Sequence, residues 1–109
     1  MYHCHIRFYL MGHHHAVFEE IKKMPALEHF THEFMESDSP ETELAAKADV
    51  IFADVRGMDA AGTAADLCAR KRPAVELIVL ADRAQVGALP LAELTDLWVR
   101  QAQVFYHSW

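Results

Sequence analysis

The chain has 109 residues, of which 52% are hydrophobic and 24% charged, with a formal net charge of −6 at pH 7. This is the composition of a globular protein with one modest core, so we expect a single domain over residues 1–109. The basic residues form no stripe, which argues against direct nucleic-acid binding. The chain has no apolar run of membrane-spanning length, no signal peptide pattern and only two cysteines, which predicts a cytoplasmic protein.

The first third of the chain alternates between strand and helix patterns. Residues 6–11 form an apolar and aromatic run closed by Gly12, which predicts a first strand. Apolar residues then recur at helical spacing over 14–24, and Pro25 ends this predicted helix. Residues 30–35 alternate in polarity and predict a second strand, with one side polar enough for the edge of a sheet.

The middle of the chain continues the alternation. Ser39 can cap a short second helix, with Pro40 suited to its first position. Residues 49–54 form a short apolar run that ends in an aspartate, which predicts a buried third strand. Asp59 can cap a third helix that extends to about Arg72.

The last third of the chain has one clear strand and weaker patterns. Residues 75–81 are almost entirely apolar and predict the fourth strand. Residues 82–94 contain breakers and predict one or two short helical turns, after which 97–99 predict a fifth strand. Residues 101–109 form an aromatic tail that predicts a short or truncated last helix.

Strands that alternate with helices predict an α/β fold with a parallel sheet covered on both faces. Right-handed crossovers make this a three-layer, doubly wound sandwich. The polar second strand suits an edge, which gives a five-stranded sheet in the order 2-1-3-4-5.

The chain resembles the response-regulator receiver domain over nearly its whole length, which implies a flavodoxin-like fold. Residues 49–54 look like the third strand of that family, which ends in the phosphorylated aspartate. Residues 57–59, Gly-Met-Asp, look like the loop that follows it in the family. Residues 77–81 look like the fourth strand, and 96–100 look like the fifth.

The resemblance makes Asp54 the equivalent of the phosphoacceptor. In the family, Mg²⁺ supports phosphorylation and is held by the acceptor and by an acidic pair at the end of strand one. Here residues 10–15 read Leu-Met-Gly-His-His-His, so Met11, Gly12 and His13 stand where carboxylates are needed. Because Mg²⁺ prefers oxygen ligands to imidazole, we expect no functional magnesium site.

Further positions around the expected site depart from the family pattern. Ala81 stands where the family has a Thr or Ser that bonds the phosphoryl group, and Asp82 adds a negative charge next to it. Arg100 matches the lysine at the end of strand five, but a guanidinium lacks the compact geometry of an ammonium. Gly57 belongs to the loop around the site.

We therefore expect a degenerate receiver, or pseudo-receiver, that serves two-component signal transduction as a regulatory and protein-interaction module. The expected protein is not an enzyme and uses no cofactor. Its expected partners are a signalling effector, in cis or in trans, and a second copy of the chain, because the aromatic tail over 101–109 suits an interface. The same tail can instead pack within its own subunit. We expect no direct nucleic-acid or membrane binding.

Two alternatives remain open for Asp54. It can accept phosphate by an atypical route, or it can respond to a transition metal. The metal alternative arises because His13 and His14 lie in the loop after strand one, and imidazole and carboxylate together suit Zn²⁺, Ni²⁺ or Cu²⁺. It can also be purely structural, as a turn residue or as a carboxylate neutralised by Arg100.

Overall fold

The computed structural model of the chain describes residues 5–88, 92 and 102–106. In chain order the elements are β1 (His5–Met11), α1 (His15–Lys22), a 3₁₀ helix (Pro25–His29), β2 (Thr31–Ser37), α2 (Thr42–Lys47), β3 (Val50–Asp54), α3 (Ala60–Arg70), β4 (Glu76–Ala81), α4 (Arg83–Ala88) and β5 (Ala102–Tyr106). No helix within these residues is both long enough and apolar enough to cross a lipid bilayer.

The strands form one parallel sheet in the order β2-β1-β3-β4-β5. The α/β class and the order 2-1-3-4 of the first four strands, predicted from the sequence, are confirmed. β2 lies at an edge, as its polar pattern predicted, while β3 lies between β1 and β4. The carboxyl end of β3 is therefore enclosed by strands on both sides.

The described fifth strand lies at 102–106, beyond the predicted one. β5 pairs with β4 in the register from Leu77↔Ala102 to Ala81↔Tyr106. The predicted fifth strand at 97–99 lies outside the described residues, whereas the prediction of a helix beginning in 101–109 is wrong because 102–106 form β5. Val, Phe and Tyr are strand formers, a nine-residue helix is marginal, and the edge of β4 supplies partners for the backbone of β5.

The first face of the sheet is covered by α2 and α3. Its core combines three alanines and one leucine of the helices with mostly larger strand residues: Ala45, Ala60, Ala64 and Leu67 with Tyr9, Met11, Ile51, Ala53, Leu77, Val79 and Ala81. Small residues on a helix let its backbone approach the sheet closely. This explains why the alanine-rich segment of α3 forms a core helix.

The second face is covered by α1 and the 3₁₀ helix and is centred on Phe8. The Phe8 ring lies 5.4 Å from that of Phe34, 6.3 Å from that of Phe30 and 6.1 Å from that of Phe52, measured between centroids. Phe18 of α1 is fully buried against this cluster. Aromatic contacts across three strands thus fix β2, β1 and β3 relative to one another.

The second helix begins later than predicted. Glu41 is the residue before its first turn, and no side chain caps it, so the predicted roles of Ser39 as cap and Pro40 as first helical residue are wrong. The carbonyl of Ser39 instead accepts hydrogen bonds from the Tyr9 hydroxyl at 3.1 Å and from the Ser37 hydroxyl at 2.6 Å. These bonds hold Ser39 in the loop, outside the helix.

Asp49 joins the amino ends of the central strands. Its carboxylate accepts a hydrogen bond from the backbone N–H of Arg7 at 2.9 Å and another from the guanidinium of Arg72 at 2.8 Å. The backbone hydrogen bond, followed by the bond from Arg72, lowers the pKa of Asp49 below its usual value. Asp49 therefore stabilises the fold in its ionised form.

We expect Asp49→Asn to lower the free energy of unfolding by about 1 kcal/mol at pH 7, because solvent screens a carboxylate that is 39% exposed. The pKa of this carboxyl is lower in the folded chain than in the unfolded chain, where it is about 3.9. The contribution is therefore present above about pH 4 and is lost as the pH falls further. Urea unfolding at several pH values measures this, with Asp38→Asn at an exposed loop as the control; an equal loss in both variants contradicts the assignment.

Candidate functional site

Asp54 lies at the carboxyl end of β3 and is fully buried. The strand ends there because the next residues turn: the N–H of Met58 donates to the carbonyl of Val55 at 3.0 Å, and Gly57 takes a φ of +79°. Gly57 is the third residue of this four-residue turn, and glycine adopts the positive φ there without strain. The turn folds Arg56 back over Asp54.

Arg56 neutralises Asp54 through a two-pronged ion pair. Its Nε donates to Oδ1 at 2.8 Å and its Nη2 donates to Oδ2 at 2.7 Å, while its backbone N–H lies 3.3 Å from Oδ1. The guanidinium side chain is 13% exposed. Two parallel N–H···O bonds of this kind combine charge neutralisation with fixed geometry. The hydrogen bonds from Arg56 to Asp54 raise the pKa of Arg56, and the nearby charge of Asp82 adds to this.

His14 is the member of the histidine run that reaches Asp54. Its Nδ1 lies 3.1 Å from Oδ2 of Asp54, and its side chain is 46% exposed. His13 is exposed, and His15 points elsewhere, with its Nε2 3.8 Å from Oδ1 of Asp38. Within the described residues, no group of three or more His, Cys, Asp or Glu side chains is arranged to hold a metal ion.

Gly12 allows the loop after β1 to lie directly against Asp54. Its φ is +145°, and a Cβ added to it would lie 2.7 Å from the carbonyl oxygen of Asp54 and 2.9 Å from the Cβ of Asp54. Its N–H donates to the carbonyl of Ser37 at 3.0 Å, which ties the loop to β2. Two features therefore favour glycine at position 12: its positive φ, and the lack of space for a Cβ beside Asp54.

The loop after β4 forms the other wall of the site. Ala81 is buried in the first face of the core, and Asp82 begins α4. The Asp82 carboxylate accepts from the Gln85 N–H at 2.8 Å, and the Gln85 side chain accepts from the Asp82 N–H at 2.9 Å, in a reciprocal cap. Gln85 also donates to the carbonyls of Val55 at 2.7 Å and Met58 at 3.0 Å, which joins α4 to the turn beside Asp54.

The structure brings together part of the predicted site. Asp54, Gly12 and one histidine meet at the carboxyl edge of the sheet, whereas Met11 is buried in the core of the first face. Arg100, the predicted match to the lysine of the fifth strand and a candidate partner of Asp54, lies outside the described residues. Among the described residues, Arg56 pairs with Asp54.

Two residues of the site were missed by sequence reasoning. Arg56 follows Asp54 at a spacing of two, with glycine after it, which is the pattern of a turn that can bend an arginine back onto a carboxylate. Gln85 lies three residues after Asp82, which was itself predicted to lie beside the site, and this spacing of a helix cap indicates that a helix starts directly after β4.

The chemistry open to Asp54 is limited by its partners. Attack on phosphorus needs a free carboxylate lone pair and a counter-charge for the incoming phosphoryl oxygens. Here Arg56 occupies one acceptor position on each oxygen, the carboxylate is fully buried, and the positive charge of Arg56 is already paired with Asp54. The arrangement holds a neutral, buried ion pair.

Comparison with known proteins identifies a likeness of fold. No protein-family model and no curated protein matches the sequence. Among solved structures, the chain is similar to a CpaE2 pilus assembly protein of Sinorhizobium meliloti, with a TM-score of 0.59 and 12% sequence identity. The match covers 93% of this chain and 85% of that chain. At this identity the likeness shows the fold alone.

We expect Gly12→Ala to lower the free energy of unfolding by about 2 kcal/mol or more, because alanine is strained at this φ and its Cβ would collide with the backbone of Asp54. Gly87→Ala is the matched control. Gly87 lies in α4 with open space around its Cα, so alanine there is expected to be neutral or to stabilise by up to about 1 kcal/mol. Equal effects of the two changes in urea unfolding contradict the close approach.

Proposed function

We propose that the protein is a receiver-like regulatory module that acts through protein contacts, without magnesium-dependent phosphorylation of Asp54. The observation that carries the proposal is the two-pronged pair of Arg56 with the buried carboxylate of Asp54. A flavodoxin-like, receiver-like architecture is supported by the sheet order and by the likeness to CpaE2. In this proposal Asp54 serves the fold of the site and is not an enzyme residue.

The surroundings of Asp54 support the loss of phosphorylation. Met11, Gly12 and His13 provide no carboxylate beside it, so the oxygen ligands that Mg²⁺ requires are missing from the loop after β1. The buried pair is also costly to open, because freeing Asp54 leaves an uncompensated buried charge, which typically costs 3–5 kcal/mol. An incoming phosphoryl group must displace Arg56 before it can reach the carboxylate.

The proposed partners follow from this regulatory reading. We propose that the module binds a signalling effector, either attached to it or separate, and pairs with a second copy of itself in the cytoplasm. CpaE2 is described as a pilus assembly protein. By analogy, one setting for this module is the control of a multi-protein assembly, with surface recognition as its mode of action.

A second function is favoured by one contact. Nδ1 of His14 lies 3.1 Å from Oδ2 of Asp54, so imidazole and carboxylate meet in the way that an atypical phosphoacceptor or a transition-metal switch needs. In that function a metal must displace Arg56 from Asp54. Thermal stabilisation by Zn²⁺ that is lost in His14→Ala and kept in His13→Ala would favour this second function over the first.

We expect no covalent phosphoryl adduct on the protein after incubation with acetyl phosphate and Mg²⁺, because both oxygens of Asp54 accept bonds from Arg56. Intact-mass spectrometry measures the adduct, with Asp54→Asn as the variant that lacks the acceptor. A magnesium-dependent adduct on the wild type that is missing from Asp54→Asn contradicts the proposal. Arg56→Ala serves as a further arm, since an adduct confined to this variant identifies Arg56 as the group that blocks the acceptor.

A further inference from the structure

The outer side of β2 offers free backbone groups within the sheet that the structure describes. β2 is a seven-residue edge strand, and it pairs with β1 along its whole length. The carbonyl of Ser37 points to the β1 side, because it accepts from Gly12. Since the direction alternates along a strand, the N–H and C=O groups of His32, Phe34 and Glu36 point outward.

A cleft of about 350 Å³ opens over the first face beside this edge. It is lined by Arg7 of β1, Glu33 and Met35 of β2, and Lys47 of α2. Its lining combines the apolar side chain of Met35 with two cations and one carboxylate. The volume is in the range of clefts that accept side chains or small ligands.

A second cleft, of about 270 Å³, opens over the opposite face. It lies between the end of α1, the 3₁₀ helix and β2, and is lined by Lys22, Lys23, Met24, Leu27, Glu28 and His32. This cleft also combines methionine with two lysines and one glutamate. The two faces of β2 therefore carry clefts of similar chemistry, although they are built from different elements.

Some cations of this edge are not paired with its carboxylates. Glu33 is paired with Arg7 at 2.7 Å, and Glu36 is paired with Lys22 at 2.9 Å. Lys23 and Lys47 have no ion pair among the described residues, and both are exposed. Glu28 in the second cleft likewise has no ion pair among the described residues, so the linings of the two clefts together hold four cations and two carboxylates.

Edge strands are commonly protected by proline, by lysine or by unpaired charges that repel another strand. The sequence of β2, Thr-His-Glu-Phe-Met-Glu-Ser, contains neither proline nor lysine. Its two glutamates are neutralised by cations of neighbouring elements. The usual barriers to strand addition are therefore weak here.

We propose that the β2 edge docks an extended, acidic segment of a partner protein by strand addition. The backbone of the segment pairs with His32, Phe34 and Glu36, and its alternate side chains meet the two clefts in turn. Carboxylates of the segment pair with Lys47 on the first face and with Lys23 on the second. β2 is at the edge of the sheet opposite β5, and binding of a segment there does not involve a reaction of Asp54.

The test uses a short synthetic peptide of repeating Glu-Glu-Val-Val, which places glutamates on both faces of an extended strand, with a Lys-Lys-Val-Val peptide as the matched control. Amide hydrogen exchange followed by NMR reports each backbone group. We expect the acidic peptide to slow exchange at His32, Phe34 and Glu36 by about tenfold or more, because these amides gain partners. Exchange at Glu33 and Met35, whose amides face β1, is expected to stay unchanged. No slowing at the outward amides, or equal slowing by the lysine peptide, overturns the proposal.

Charge reversal gives an independent arm of the test. Lys47→Glu is expected to weaken binding of the acidic peptide by about tenfold, because it replaces the attraction at the first cleft with repulsion. Arg83→Glu makes the same change of charge on the exposed surface of α4 and is the matched control. Circular dichroism checks that both variants are folded, and equal affinities of the two variants contradict the docking surface. Lys23→Glu tests the second cleft in the same way.

Discussion

The buried carboxylate of Asp54 is the constraint on which this edge of the sheet depends. A charge at the end of a central strand, fully removed from water, must be neutralised by a nearby group. Arg56 provides this neutralisation only because the turn at Gly57 folds it back onto the strand that precedes it. The ion pair therefore forms between residues that are two apart in the chain, and His14 adds a contact from the loop after β1.

The loops around the pair are arranged to keep it closed. Gly12 lets the loop after β1 lie against the backbone of Asp54, and His14 contacts the carboxylate from the same loop. On the other side, Gln85 bonds two carbonyls of the turn that holds Arg56. Three loops at the carboxyl edge thus meet at one buried ion pair, and this geometry is the basis of the proposed regulatory role.

Sequence patterns predicted more of the fold than of the candidate site. Apolar periodicity located the first four strands, and the polarity of β2 placed it at the edge. The strand at 102–106 was not predicted, because its aromatic residues suit a helix end equally well. In the site, the resemblance directed attention to distant positions such as Arg100. The partner of Asp54 lay two residues away, and periodicity carries no information about how a turn bends a side chain.

The most direct test of the account is the coupling free energy between Asp54 and Arg56. Urea unfolding of Asp54→Asn, Arg56→Gln and the double variant forms a double-mutant cycle, with Asp66→Asn and Arg70→Gln as the control cycle for an exposed helical pair. We expect a coupling of about 2 kcal/mol or more for the buried pair, against about 0.3–0.5 kcal/mol for the exposed pair. A coupling near zero for Asp54 and Arg56 would contradict the claim that this pair closes the site.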